Sequence, residues 1–320
     1  MNYKKREVKE YARENMKGVW VAITNPFTDD GEPDEKGLRR NLNYYAEDLK
    51  INGIFCNGIM GEFWALTIPE RKKILEIIIE RSKGRMLISV LTTHHSIRET
   101  IELTQHAQEI GADFAVLTNP YIGPRTESDI YSYYLTVCKS VNIGIVVFNT
   151  PTNGYSMSPS LIEKLSEIEN ICAIKTTDAM DHTAEVRRKV GNRIVVSDPL
   201  EERLFFNMVY FGQQVFYADP EPYLYQTKFK QPIREYIELI KEGKVKNALE
   251  IFNQLNPIRK VYMKWIMGPL QKGMMTNAYL KYWTELLGMA SGPVRPPLSQ
   301  ATDEQKEELR QDLINVGLIN

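Results

Sequence analysis

The chain has 320 residues, 43% of them hydrophobic and 25% charged, a composition that supports a large buried core and gives no sign of disorder. With 40 basic and 41 acidic side chains the net charge is -1, so nucleic acid and anionic membrane surfaces are not expected partners, and a small neutral or anionic molecule is. The length exceeds the ~100 to 200 residues of a typical domain yet fits one α/β barrel with extra helices.

Residues 1–17 are rich in Lys, Arg and Glu and read as a helical arm, without the apolar core of a secretory signal. No run approaches the ~18 uninterrupted apolar residues that span a bilayer. From residue 18 to about 217, short apolar runs alternate with helix-period segments, the signature of repeated βα units around a parallel sheet. The strands are expected at 18–24, 53–57, 86–91, 113–118, 143–148, 171–175, 194–197 and 214–217. Eight of them suggest a closed TIM (β/α)8 barrel, filling 18–225. Between them, residues 70–83 place Ile74, Ile77, Ile78 and Arg81 around a largely aliphatic face, and 96–110 repeat Ile97, Ile101, Leu103 and Ala107. Thr67 with Glu70 and Ser96 with Glu99 fit capping boxes, and Ser158-Pro159 places a proline at a first helical position. Beyond residue 217 the pattern becomes helix after helix, at 231–242, 245–265, 274–287 and 303–316, a C-terminal helical extension (226–320) packed on the barrel. Residues 288–299, with Gly292-Pro293 and Pro296-Pro297, break that pattern as a rigid loop. The three cysteines, Cys56, Cys138 and Cys172, fit reduced thiols in a cytoplasmic protein.

The run Ile171-Cys172-Ala173-Ile174-Lys175 ends in a charged amine. Active-site groups of such barrels sit at the C-terminal strand ends, and burying an ammonium costs several kcal/mol unless it is paired, so a neutral, nucleophilic amine is one reading. Such a lysine condenses with a carbonyl substrate as a Schiff base. The alternative is a strand-end lysine that snorkels to solvent or pairs with Asp178.

The other strand ends supply candidates of the same kind. After the second strand, Gly58-Ile59-Met60-Gly61-Glu62 can turn its N–H groups inward as a seat for a carboxylate, or be a plain βα turn, with Glu62 a buried structural acceptor or a substrate partner. After the third come His94 and His95, one of which could reach the cavity as an acid or base, the other reading being a loop hydrogen-bonding role. Tyr121, after the fourth strand, and Tyr155, after the fifth strand and Asn149, could bind a substrate or simply pack. Asp198 could cap the helix that follows it or line the cavity. No metal site and no cofactor are expected, since His106 and His182 fall on expected helices and no Cys or carboxylate cluster has ligand spacing.

Four segments, in order, carry a resemblance: Pro26-Phe27, Gly58-Ile59-Met60-Gly61-Glu62, Phe148-Asn149-Thr150-Pro151 and Ile174-Lys175. Together they resemble the N-acetylneuraminate lyase and dihydrodipicolinate synthase superfamily, pyruvate-dependent class I aldolases and lyases on a TIM barrel. The similarity runs from about residue 18 to the Gly292-Pro293-Val294-Arg295-Pro296-Pro297 loop. It implies that Lys175 forms an imine with pyruvate or another 2-oxo acid, that backbone amides of the 58–62 turn hold its carboxylate, and that the protein is a homodimer or homotetramer. An iminium ion is an electron sink, which stabilises the carbanion needed to make or break a C–C bond.

This chain departs from the family's Tyr/Thr proton relay. Phe148 stands where the fifth strand usually ends in tyrosine, Met60, preceded by Ile59, replaces the turn's hydroxyl residue, and Ile122 takes the place of the second tyrosine. Asn153 occupies the position of the arginine that receives a second carboxylate in dihydrodipicolinate synthase, which argues against a job in lysine biosynthesis. The leading expectation is a Schiff-base lyase or aldolase for a 2-oxo acid with an apolar or aromatic second part, given the apolar set Ile59, Met60, Phe63, Trp64, Ile122 and Phe148. His94, His95, Tyr155 or a bound water would then move the protons. An imine-dependent dehydratase or hydratase, and a catalytically silent metabolite-binding barrel, are the alternatives.

Overall fold

The computed structural model describes residues 2–119, 126–153 and 155–320. Eight strands form where the apolar runs lie: β1 Gly18–Ala22, β2 Gly53–Cys56, β3 Leu87–Leu91, β4 Phe114–Thr118, β5 Gly144–Asn149, β6 Ile171–Thr176, β7 Val195–Ser197 and β8 Val215–Tyr217. Each falls within two residues of its expected bounds, because short β-branched runs bounded by polar or glycine residues have few alternatives. All pairings are parallel and the order is β7-β6-β5-β4-β3-β2-β1-β8, a nearly closed (β/α)8 barrel. Between β7 and β8 a side chain bridges the strands: Ser197 Oγ donates to Val215 O at 3.1 Å and accepts from Tyr217 N at 3.1 Å.

The chain divides into two compact units. The first comprises residues 1–20, 52–56 and 82–218 and holds nearly all of the barrel strands. Its helices are α1 Val8–Asn15 and, between strands, α4 Ile97–Ile110, α5 Glu127–Ser140, α6 Pro159–Leu165, α7 Met180–Val190 and α8 Glu201–Phe211. The second comprises residues 21–51, 57–81 and 219–320. It carries α2 Glu35–Asn43, most of α3 Ile68–Ser82, and α9 Glu221–Leu224, α10 Pro232–Lys241, α11 Val245–Gln254, α12 Asn256–Tyr262, α13 Gly268–Gln271, α14 Asn277–Leu286 and α15 Asp303–Asn315.

The N-terminal arm, a 3-10 turn at Lys5–Glu7 followed by α1, binds the barrel side of the first unit through a row of cations. Lys5 Nζ donates to Cys138 O and Val141 O (2.6 and 2.7 Å), Lys9 Nζ to Ser166 O (2.6 Å), and Arg13 Nη2 to Asn192 O and Arg193 O (3.0 and 3.3 Å). These carbonyls lie at or just past the C-termini of α5, α6 and α7, where unpaired C=O groups and the helix dipole favour positive charge. The spacing of four residues stacks the three side chains on one face of the arm. Val8 fits only because residue 144 is glycine: a Cβ there would lie 2.5 Å from Val8 Cγ2. From this end an aromatic column ascends through Tyr3 and Tyr11 to Phe114, Trp20, Tyr217, Phe55 and Phe148, each ring within 6.2 Å of the next.

Three expectations change. Ser96 and Glu99 do not form a capping box: the Ser96 side chain makes no cap hydrogen bond, the Ser96 N–H donates to His94 Nδ1 at 3.2 Å, and the Glu99 carboxylate lies against His94. The stretch 245–265 is not one helix. It breaks at Leu255 and restarts as α12 with Pro257 in its first turn, the place where a missing N–H costs nothing, and a π-helical turn at Met263–Met267 follows. Asp198 does not occupy the N-cap of α8, which is Leu200, but its Oδ1 does accept from Leu200 N at 3.1 Å. Elsewhere Thr67 and Glu70 form the reciprocal pair expected of a capping box, and Ser158 caps α6 with Pro159 behind it. The three cysteines are buried free thiols. Among the described residues no helix is long and apolar enough to cross a membrane.

Candidate active site

Lys175 lies in β6 opposite Phe148 of β5 and Ser197 of β7, and it is 0% exposed. Its Nζ donates to Ala218 O at 3.4 Å, just past β8. Three ring faces surround the same atom: Phe148 at 4.9 Å, Phe55 at 5.3 Å and Tyr217 at 5.6 Å from their centroids. Rings from β2, β5 and β8 can meet one amine only inside the barrel. Their negative faces favour a cation, whether ammonium or iminium. Asp178, the alternative partner, has its carboxylate engaged by Ser156 Oγ in a short hydrogen bond and by Asn149 Nδ2 at 3.2 Å.

Asn149 holds the segment after β5. Its Nδ2 also reaches Thr176 Oγ1 at 3.2 Å, and its Oδ1 accepts from Met157 N at 2.9 Å, so both ends of the amide serve the loop. His182, on α7, places Nε2 2.8 Å from Met157 O and joins the same cluster. His94 Nδ1 stands 2.5 Å from Glu99 Oε2 and the ring is half-buried, while His95 is exposed. Tyr155 is half-buried, and burial, with the charge of Glu127 adding to it, holds its phenol above the ordinary value. Tyr121 and Ile122 lie outside the described residues.

Sequence reasoning passed over Tyr217 and Ser89. The Tyr217 phenol and Ser89 Oγ share a short hydrogen bond, and Ser89 Oγ also donates to Ile54 O at 2.8 Å. Burial, opposed by the Ser89 bond, keeps this phenol protonated far above its usual range. The available signal was its position as the last residue of the eighth strand, the place on the barrel that singled out Lys175 on the sixth.

The 58–62 turn belongs to the second unit. Asn25 Nδ2 donates to Gly61 O at 2.6 Å, and a Cβ on Gly61 would sit 2.9 Å from that nitrogen and 3.3 Å from Ile23 O, so a side chain there would displace Asn25. Glu62 takes a left-handed conformation (φ 53) and is fully buried. Its Oε1 lies 3.0 Å from Lys281 Nζ and its Oε2 accepts from Arg295 N at 2.9 Å. Lys281, 2% exposed, also donates to Pro293 O at 2.7 Å and lies 3.9 Å from the Phe27 centroid, with the Arg295 guanidinium 4.5 Å from the same ring. Burial lowers Lys281 to about 8 against the pull of Glu62. Arg295 pairs with Glu70 at 2.5 Å and holds that carboxyl down near 2. The matched Pro26-Phe27 segment, the turn and the 292–297 loop are therefore one charged, aromatic assembly. A Cβ on Gly292 would fall 1.8 Å from Phe27 O, so the loop can approach Phe27 only as glycine.

Fold and site define a class, a (β/α)8 barrel with a buried strand-end lysine, of the kind that carries class I lyases and aldolases. The chain belongs to the dihydrodipicolinate synthetase family, whose model matches residues 15–316. It is 32% identical to a 4-hydroxy-tetrahydrodipicolinate synthase of Methanothrix thermoacetophila, over 94% of this chain and 97% of the relative. It is 30% identical to an uncharacterized DapA-like lyase of Thermococcus onnurineus, over 94% and 99%. Among solved structures, dihydrodipicolinate synthase from Aquifex aeolicus superposes with a TM-score of 0.83 at 28% identity, covering 94% of this chain and 98% of that one. YagE, a prophage protein of E. coli K12 in complex with pyruvate, gives 0.81 at 26%, covering 94% and 99%.

Proposed function

We propose that the protein is a Schiff-base lyase or aldolase acting on pyruvate or another 2-oxo acid whose second part is apolar or aromatic. The observation that carries this reading is the burial of Lys175 among Phe55, Phe148 and Tyr217. An iminium formed on this amine would keep its positive charge against three ring faces, away from water. Pyruvate in YagE supports the choice of a 2-oxo acid.

In this reaction the neutral Nζ adds to the keto carbon, the carbinolamine loses water, and the iminium accepts the electron pair released when a C–C bond breaks or an α-proton leaves. The family resemblance assigns the substrate carboxylate to backbone amides of the 58–62 turn. Phe148 has no proton to give, so transfer falls to His94, His95, Tyr155, a water, or the Tyr217 phenol whose ring borders Nζ. Met60, Ile59 and Phe148 suit an apolar second moiety better than a second carboxylate, and Asn153 offers no positive charge to one. Lysine biosynthesis is thus the less fitting role, although the 32% identical relative bears the name of that synthase. A homo-oligomer is the assembly the family resemblance favours.

Borohydride reduction in the presence of a panel of 2-oxo acids tests the reading. A mass adduct on Lys175 that disappears in Lys175→Met is expected, and its absence across the panel sinks the proposal. Water loss from a hydroxy 2-oxo acid without release of pyruvate would replace the lyase with an imine-dependent dehydratase.

A further inference from the structure

The backbone around Ile59 and Met60 is clamped in an unusual way. In a trans peptide the C=O of one residue and the N–H of the next point in opposite directions. Gly58 O accepts from Gly61 N at 3.1 Å and from Phe63 N at 3.3 Å, which turns the N–H of Ile59 the other way. Ile59 O accepts from Glu62 N at 3.2 Å and from Asn277 Nδ2 at 3.1 Å, which does the same for the N–H of Met60. Asn277 Nδ2 reaches Met60 O as well, at 3.3 Å. The amides of Ile59 and Met60 donate to no acceptor among the described residues. Two successive, unspent N–H groups on a tight turn make a nest for an anion.

Asn277 opens α14, 218 residues beyond Ile59, and is 3% exposed. Nothing local in the turn requires it. We propose that Asn277 is a positioning residue for carboxylate binding: by holding the carbonyls of Ile59 and Met60 it fixes the peptide plane that aims the Met60 N–H at the substrate carboxylate. The proposal rests on the reading of the turn as the carboxylate seat and adds the side chain that sets its geometry. It also gives α14 a task in substrate selection, because the group chosen is the one with negative charge to share between two amides.

The test compares wild type with Asn277→Ala and Asn277→Ser. The first probe is borohydride trapping with pyruvate and with hydroxyacetone, an uncharged ketone of similar size. The second is the thermal shift produced by propionate, a carboxylate that cannot form an imine. Loss of the Asn277 bonds is expected to raise the pyruvate concentration for half-maximal trapping about tenfold, as for one or two hydrogen bonds to a bound anion, with little change for hydroxyacetone. The propionate shift should fall in parallel, with Asn277→Ser intermediate. Equal loss for pyruvate and hydroxyacetone, or unchanged propionate binding in Asn277→Ala, overturns the proposal. If wild type traps no ketone but binds propionate in an Asn277-dependent manner, the Schiff-base reading fails and the positioning role stands. A wild type that does not bind propionate defeats the positioning role by itself.

Discussion

Changing Glu62 to glutamine strands a lysine that is already out of water. Lys281 is 2% exposed and Glu62 0%, with 3.0 Å between Nζ and Oε1. Removing one member of a buried pair costs about 3–5 kcal/mol, because the remaining charge keeps its desolvation penalty and loses its partner. Two features set the size here. Nζ keeps Pro293 O at 2.7 Å and the Phe27 face at 3.9 Å. It can also shed its proton, since burial has brought it from 10.5 to about 8 with Glu62 still present. At about 1.4 kcal/mol per tenfold, keeping this lysine neutral at pH 7 against an unfolded value of 10.5 costs about 5 kcal/mol, of which the wild type, at about 8, already bears about 3.5, so deprotonation caps the added loss at about 1.5 kcal/mol. A destabilisation of about 1.5 kcal/mol is expected for Glu62→Gln.

The sign of the pH dependence follows from the same lysine. Its folded value lies below its unfolded one, so between pH 8 and 10.5 the native chain holds fewer protons and the stability contributed by Lys281 rises with pH. Without Glu62 the folded value falls further and the rise begins at lower pH. Urea unfolding of wild type, Glu62→Gln and the double variant Glu62→Gln/Lys281→Met at pH 7 and pH 9.5 reads all of this. The single variant should approach wild type at the higher pH, and the double variant should recover most of the loss at pH 7. A single variant within about 0.5 kcal/mol of wild type at pH 7, or a double variant no more stable than the single, would refute the reasoning.

Three further outcomes are expected. If the missing phenol merely cripples ordinary chemistry, Phe148→Tyr speeds imine formation with pyruvate; if another donor has replaced it, the substitution slows turnover of the true substrate, and His94→Ala or His95→Ala does more harm. No change in any of the three removes both accounts. Tyr217→Phe breaks the bond to Ser89 at a cost near 1 kcal/mol of stability, and should slow borohydride-trapped imine formation more than tenfold if this phenol moves protons; an unchanged rate assigns it to packing alone. Replacing Lys5, Lys9 and Arg13 together by glutamine removes three C-terminal helix caps at about 0.5–1 kcal/mol each, so a loss of about 2 kcal/mol in urea unfolding is expected, and a loss under 0.5 kcal/mol contradicts the clamp.

The eight strands were legible because each is a local event: a short apolar run with its own punctuation needs no distant partner to declare itself. Lys175 was legible for the same reason, as a charge at the end of such a run. Helix interruption was harder to read. The break at Leu255 has a local cause in Pro257, yet the helical periodicity on both sides masked it, and in place of the expected Ser96–Glu99 box the Ser96 N–H goes to His94 Nδ1 with Glu99 against the same ring. Glu62 stood in the sequence as either a structural acceptor or a substrate partner, and the folded chain engages both of its oxygens with Lys281 and Arg295.

By itself, the order of residues determined the alternation of strand and helix, the chemistry at each strand end and the apolar side chains at Met60, Ile122 and Phe148. Tertiary structure alone decided what surrounds those positions. The rings about Lys175 come from strands that begin at Gly53, Gly144 and Val215, the counter-charge of Glu62 from Lys281 on α14, and the hold on the Ile59 carbonyl from Asn277 at the start of that helix. Periodicity reports which face a side chain takes on its own element. Only closing loops of tens to hundreds of residues brings a particular ring, ammonium or amide to within a few ångströms of it, and those loops close through the summed burial of the core rather than through any signal at the residues that finally meet.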